Sequence, residues 1–258
     1  MELLSRLLRS RQHDAADGLP VLLYHKIAEY APGAAVKSHY VSPALFRAHM
    51  AFLHRGGYRT VGVDEILRYM RGEAVDVERP IAITFDDGYD CVCHNALPAL
   101  REFGFGAIVF VLAGFIGGVN DWEPERPAVV EPMLTAEHVV EMTAAGVEFG
   151  SHAMTHTRLS QLGDSDLRGE MADSKRMLED IIGSEVTAVS YPFGDQDDRV
   201  RAFAAQAGYT AGFTVERGVN RAGGDPFAIK RLNIRRHNYV PLFARKLRRA
   251  YANAARRD

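Results

Sequence analysis

The stretch 83–90 reads ITFDDGYD, so two aspartates, Asp86 and Asp87, follow a run of β-formers and precede a glycine. Three other short apolar runs also end on residues able to do chemistry. VEFGS (147–151) leads into His152-Ala-Met-Thr-His156, AVS (188–190) into Tyr191-Pro192-Phe193-Gly194, and VLLY (21–24) into His25. Asp-Asp-Gly alone reads equally well as a turn, and a lone His-x-x-x-His is more often surface decoration than a site. Together they say more. Histidines four apart lie on one face of a helical turn and can grip one ion. A carboxylate from another strand end completes two imidazoles and one oxygen, and three protein ligands with an open position mark a catalytic metal. If one of two adjacent carboxylates binds and the other stays free, the free one can take a proton from water at the ion.

The elements that would position these residues alternate. Strands are expected at 21–25, 81–85, 107–112, 147–151, 188–192, 209–215 and 228–234. Helices are expected at 43–55, 63–70, 97–103, 135–145, 164–182, 198–207 and 243–255. The inward faces are read as Phe46, Met50, Leu53 and His54 on the first helix; Ile66, Leu67 and Met70 on the second; and Leu167, Met171, Met177, Leu178 and Ile181 on the long one. Strands alternating with helices imply a parallel sheet. About seven such units in this length favour a closed barrel, whose chemistry gathers where the strands end. The expectation is one α/β domain, a barrel over 20–239, with a basic amphipathic segment at 1–19 and a basic helix at 240–258.

The net charge of −2 is unevenly spread. The tail from 240 carries +5 and the first 13 residues +2, leaving −9 on the body, and an acidic body argues against nucleic acid. Cys91 and Cys93 are too close for an unstrained disulfide, which leans towards a reducing compartment. No apolar run reaches the roughly 18 residues of a membrane span. The start lacks the apolar core, about 7–15 residues long, of a secretory signal. A cytoplasmic protein is expected, peripheral to the inner membrane if its basic ends adhere to anionic lipid.

The motifs ITFDDG, GSHAMTH and SYPFG, in this order and strand context, resemble those of the polysaccharide deacetylases, carbohydrate esterase family 4, over about 21–215. The resemblance implies a distorted (β/α)7 barrel and metal-dependent removal of an acyl group from a sugar. It makes Asp86 the general base, and Asp87, His152 and His156 the metal ligands. The backbone N–H around Phe193, in a turn fixed by Pro192 and Gly194, becomes an oxyanion donor. Ser190 stands where this family often has an arginine that orients the base, and the usual acid motif is absent. SYPFG and the early Tyr-His instead resemble the branch acting on poly-N-acetylglucosamine exopolysaccharide. That makes His25 the candidate acid, against a plain core histidine, with His237 in reserve. Arg231 could replace the missing arginine, against a surface salt bridge. Tyr191, Pro192, Phe193, Trp122 and Arg231 are taken as substrate-facing, with Tyr89 at the cleft border.

The expected activity is N-deacetylation of an amino sugar in a poly- or oligosaccharide. The cofactor is a divalent metal, zinc by default, with nickel, cobalt or iron suited to the same ligands. Deacylation or deformylation of a lipid-linked sugar at the inner membrane face is the near alternative. A glycan-binding pseudoenzyme and an iron oxygenase are the more distant ones. Turnover of an acetylated oligomer separates the first of these, and oxygen dependence the second.

Overall fold

The computed structural model describes residues 18–34, 36–122 and 129–254, so most of the expected 1–19 segment lies outside the described residues. The strands are β1 (Val21–Tyr24), β2 (Lys26–Ile27), β3 (Tyr40–Val41), β4 (Arg59–Thr60), β5 (Pro80–Phe85), β6 (Ile108–Val111), β7 (Glu148–Ser151), β8 (Ala188–Ser190), β9 (Ala211–Phe213) and β10 (Leu232–Asn233). The main sheet runs β10-β1-β5-β6-β7-β8-β9, with β4 beside β5, and β2 and β3 pair separately. The named pairs are parallel. Parallel neighbours need crossovers. These are provided mainly by α1 (Pro43–Arg55), α2 (Val63–Met70), α3 (Leu97–Phe103), α4 (Ala136–Ala144), α5 (Asp164–Ile182) and α6 (Asp198–Gln206), and α7 (Val240–Ala254) follows the last strand.

The segment expected as a single strand at 228–234 closes the curl. The Ile229 N–H donates to the Gly212 carbonyl at 2.8 Å, and the Ile229 carbonyl accepts from Thr214 N–H at 2.9 Å, beside β9. Leu232 and Asn233 then pair with Leu22 and Leu23 of β1. The chain steps from one edge of the sheet to the other, which makes a distorted barrel.

Alternation along the strands separates two apolar clusters. Val21, Ala82, Ile108, Phe110, Ala188 and Phe213 belong to one, and Leu22, Tyr24, Ile83, Phe85 and Val109 to the other, with the helices. Helix ends follow local chemistry. The Thr135 hydroxyl accepts from His138 N–H at 3.2 Å to cap α4, and Gly183 at φ 76° ends α5.

Two readings of helix faces and one of a helix start change. On α1 the buried histidine is His49, whereas His54 is exposed. On α5 Met177 is exposed and Ser174 is buried, bonded to Ser151 Oγ at 2.9 Å. Helix α7 begins at Val240, before its expected start, because Pro241 in a first turn forfeits only an N–H with no helical partner. Phe243, Leu247 and Tyr251 are buried. The Phe243 ring stacks on His49 at 4.2 Å, so the basic helix is part of the core packing.

Candidate active site

Asp86 extends the inward series Ala82 and Thr84 of β5 by two residues, so it faces the barrel interior. There it meets Arg231, which is fully buried. Nη1 donates to Oδ1 and Nη2 to Oδ2, each at 2.7 Å. Arg231 also donates to Ser190 Oγ (2.8 Å), Thr84 Oγ1 (3.2 Å) and the Thr214 carbonyl (2.8 Å). The Ser190 hydroxyl donates to Asp86 Oδ2 at 3.1 Å. Burial is the largest influence and would raise the Asp86 pKa, but the Arg231 guanidinium, joined by His152 and His25, holds the carboxyl below its ordinary value. The last strand thus brings a guanidinium to Asp86, from a residue with no access to a glycan. Its expected substrate contact is thereby corrected.

Asp87 leaves the strand at φ 75°, and Gly88 follows at φ 82°, where a Cβ would lie 2.9 Å from Val111. This turn aims Asp87 away from Arg231 and at imidazoles. Its Oδ1 lies 3.4 Å from His152 Nε2 and 3.7 Å from His156 Nε2. His152 Nδ1–H donates to the Ser190 carbonyl at 2.6 Å, which turns Nε2 towards the carboxylate. His156 Nδ1 is buried without a partner among the described residues. Two imidazole nitrogens and a carboxylate oxygen brought this close can share one cation, and the N,N,O donor set fits a divalent metal. Burial, the largest influence, would raise the Asp87 pKa, but the His152 contact, His25 and His156 together hold it below its ordinary range. At His152 burial opposes charge, but Asp86 and Asp87 raise the pKa. Burial pushes His156 down to about 4.

The spacing of the two histidines does not come from a helical turn. Residues 152–156 form a bend, with Ala153 at φ 67°, and bring the rings to 5.5 Å. Asp87, Ala153 and Phe193 (φ 60°) are three of the four non-glycine residues at positive φ among the described residues, one in each motif. Such strain gathers at functional sites.

His25 stands on the other side of Asp87. Its ring stacks on His39 at 3.7 Å, and His25, His39 and Asp87 form a second group with potential ligand atoms within 4.8 Å of one another. Burial, helped by His39, pushes His25 down to about 3, and its Nδ1 has no partner among the described residues. His237 is exposed and belongs to neither group. Phe193 is 44% exposed with its ring 4.3 Å from His156, and the Trp122 ring lies 5.2 Å from His156. Both border the site. Pro192 is buried in the turn between them and β8. Tyr191 is fully buried and its hydroxyl donates to the Phe227 carbonyl at 3.2 Å, so its side chain serves the core and its expected place at the substrate is corrected. Tyr89 is buried beneath the Lys26 ammonium, 4.2 Å from its ring centre. Cys91 and Cys93 are free thiols.

Two features have no strand-end signal in the sequence. His39 comes from a short 3-10 turn at Lys37–His39. Glu131, which pairs with Lys26 and accepts from Tyr40 Oη at 2.7 Å, comes from the long segment that also carries Trp122.

The polysaccharide deacetylase family model matches residues 74–212. YxkH of Bacillus subtilis (strain 168) is 30% identical over 216 residues, spanning 84% of this chain and 71% of that protein. The poly-beta-1,6-N-acetyl-D-glucosamine N-deacetylase of Staphylococcus aureus (strain MSSA476) is 21% identical over 216 residues, spanning 80% and 71% respectively. The structure of Streptococcus pyogenes deacetylase PplD in complex with acetate superposes with a TM-score of 0.78 at 24% identity, covering 91% of this chain and 98% of that one. The same fold therefore extends across most of both chains.

Proposed function

Because the chain belongs to the polysaccharide deacetylase family and is a carbohydrate deacetylase, we propose that it hydrolyses the N-acetyl group of an amino sugar in a poly- or oligosaccharide, with Asp86 as the base. The observation that carries this reading is the division of labour between the two aspartates: Asp86 is locked to Arg231, and Asp87 faces imidazole nitrogens.

Asp87, His152 and His156 would hold a divalent ion, zinc by default, with nickel, cobalt or iron suited to the same donors. When bound, such an ion polarises the amide carbonyl and lowers the pKa of a water towards neutrality. Asp86 takes the proton from that water. Arg231 keeps it ionised and fixes both oxygens, and Oδ1, which accepts only from Arg231 among the described residues, keeps a lone pair for the task. The proton taken by Asp86 is the one the departing amine needs, and His25 is the candidate to pass it on, a role in which the burial that lowers its pKa is opposed by the charges of Asp87 and Asp86, which favour its protonated form. The backbone N–H at Phe193 donates to the oxyanion, where charge develops. The products are acetate and a free amino sugar. Trp122 and the exposed face of Phe193 offer aromatic surface for a pyranose ring. The doubt that Ser190 raises about turnover is met by Arg231. A second reading, deacylation or deformylation of a lipid-linked sugar at the inner membrane face, rests on the basic residues of α7. Among the described residues no helix is long and apolar enough to cross a membrane.

The test is release of acetate from β-1,6- and β-1,4-linked N-acetylglucosamine oligomers, and of formate from an N-formylated lipid-linked sugar, with zinc, nickel, cobalt or iron supplied in turn. Acetate from at least one oligomer, lost in Asp86→Asn, is expected. No acetate from any N-acetylated glycan under any metal would sink the proposal, and formate from a formylated sugar alone would establish the second reading.

A further inference from the structure

Outside the barrel wall, away from the two aspartates, the loop 216–225 and α7 line a half-open cleft of 930 Å³, at whose solvent side Arg217, Arg245 and Arg249 are exposed. Alternation on the closing strand separates it from the active site: Arg231 turns inward to Asp86, whereas Lys230 and Leu232 line the cavity. The wall carries Arg217, Lys230, Arg245, Lys246 and Arg249, none of which forms an ion pair among the described residues. Arg201 and Asp225, also on the wall, offset each other at 3.4 Å. Glu216 is the one carboxylate left to oppose the five cations among the described residues. The Lys246 ammonium is held by neutral oxygens, the Asn233 carbonyl and Asn238 Oδ1. Burial, with Arg217 and Arg235 adding repulsion, pushes its pKa down to about 8.

Cations gathered in a partly enclosed space without counter-charges repel one another, and a bound anion relieves that cost. The volume falls in the usual range of small-molecule sites, about 300–1,000 Å³. Three guanidinium forks and two ammonium groups around one space match several phosphate oxygens better than a single carboxylate. We propose that this cavity binds a phosphate-bearing group with more than one negative charge, of the diphosphate-ester class. The same headgroup chemistry can come from a soluble phosphate ester or from an anionic lipid. The inference does not depend on the reading of the active site.

The experiment is calorimetric titration of the full chain with inorganic pyrophosphate, at low and at raised salt. Saturable one-to-one binding that weakens with salt is expected. The paired substitution Arg217→Gln with Arg249→Gln should weaken it about tenfold or more, as loss of charge-assisted bonds would. Lys230→Gln with Arg245→Gln is a second, independent pair should the first fail to fold. Arg176→Gln, on the exposed face of α5, serves as the control and should change nothing. Vesicles of phosphatidylcholine with and without a polyprenyl diphosphate separate the sources. Vesicle binding that pyrophosphate competes away assigns the lipid headgroup, and pyrophosphate binding without vesicle binding assigns the soluble ester. No saturable pyrophosphate binding at low salt, or unchanged affinity in folded forms of both pairs, overturns the site.

Discussion

Asp86 and Asp87 are chain neighbours with nearly equal burial, 3% and 4% exposed, yet their surroundings are opposite. Asp86 sits in a finished network: both oxygens accept from a buried guanidinium that is itself bonded to Thr84, Ser190 and Thr214. Asp87 faces an unfinished one, in which His25 Nδ1 and His156 Nδ1 are buried without partners among the described residues and the His152 and His156 Nε2 atoms stand off at 3.4 and 3.7 Å. A histidine serving the fold looks different. His49 uses both nitrogens: Nε2–H donates to the Asn238 carbonyl at 2.5 Å and Nδ1 accepts from Tyr24 Oη at 3.1 Å. A base benefits from complete fixation of its charge and direction, and an ion site requires donors that the fold has left unspent.

The largest effect expected from this contrast is on activity. Asp86→Asn should keep its metal and lower kcat about 10²–10⁴-fold, the usual cost of a lost general base. Asp87→Asn should instead lose metal, with activity partly restored by excess ion. Metal content and kcat measured for both variants across added metal decide it. If Asp86→Asn empties the site while Asp87→Asn keeps it, the roles are reversed.

The next effect is on stability. Arg231→Met leaves the Asp86 carboxylate buried without its cation, a loss of about 3–5 kcal/mol for a broken buried pair. Arg231→Met combined with Asp86→Asn should regain most of it, since the uncompensated charge is gone. Urea unfolding of the two variants is the measurement. Equal destabilisation in both would show that Arg231 matters for packing against Phe110 and Phe213 rather than for holding Asp86.

How much of this is legible in the sequence depends on how local the cause is. The three motifs and His25 are legible because each follows one apolar strand run, and strand ends in a β/α barrel converge. The boundaries of α1, α2, α3 and α5 are legible from caps and apolar spacing. The role of Arg231 is not. It lies 145 residues from Asp86 and faces it only because the last strand crosses from β9 to β1. Tyr191 misleads in the opposite way. It belongs to a motif, but its ring turns to the core because Gly212 leaves room: a Cβ there would come within 2.2 Å of the Tyr191 hydroxyl. His39 comes from a loop turn without periodicity, and only the folded chain stacks it on His25.

A third test uses the histidine that serves the fold. Burial pushes His49 down to about 4 from its ordinary 6.5. A depressed folded pKa means the unfolded chain binds the proton more readily below pH 6.5. Stability should therefore be flat in this respect above 6.5 and fall as pH drops to 4, by on the order of 3 kcal/mol from this one group. His49→Gln should be less stable at neutral pH but lose less between pH 6.5 and 4. Parallel slopes for the two proteins over that window, from urea midpoints, would show that other imidazoles carry the acid sensitivity.

The smallest effect probes the one residue that touches both aspartate networks. Ser190 donates its hydroxyl to Asp86 at 3.1 Å and accepts from Arg231 at 2.8 Å, while its backbone carbonyl accepts from His152 Nδ1 at 2.6 Å. Ser190→Ala deletes the side-chain bonds and spares the carbonyl. Arg231 Nη2 keeps one N–H on Asp86 Oδ2 and loses the acceptor of the other, so the cost should be that of one buried donor left unsatisfied, about 1–3 kcal/mol. The loss should fall on the Asp86 side alone: kcat should drop less than about tenfold, the range that 1.4 kcal/mol spans, and metal affinity should be unchanged. Stability, kcat and metal titration of this single variant therefore ask whether the two networks are separable. A fall in metal affinity comparable to that of Asp87→Asn would mean that they are one unit, with His152 positioned through the Ser190 side chain after all.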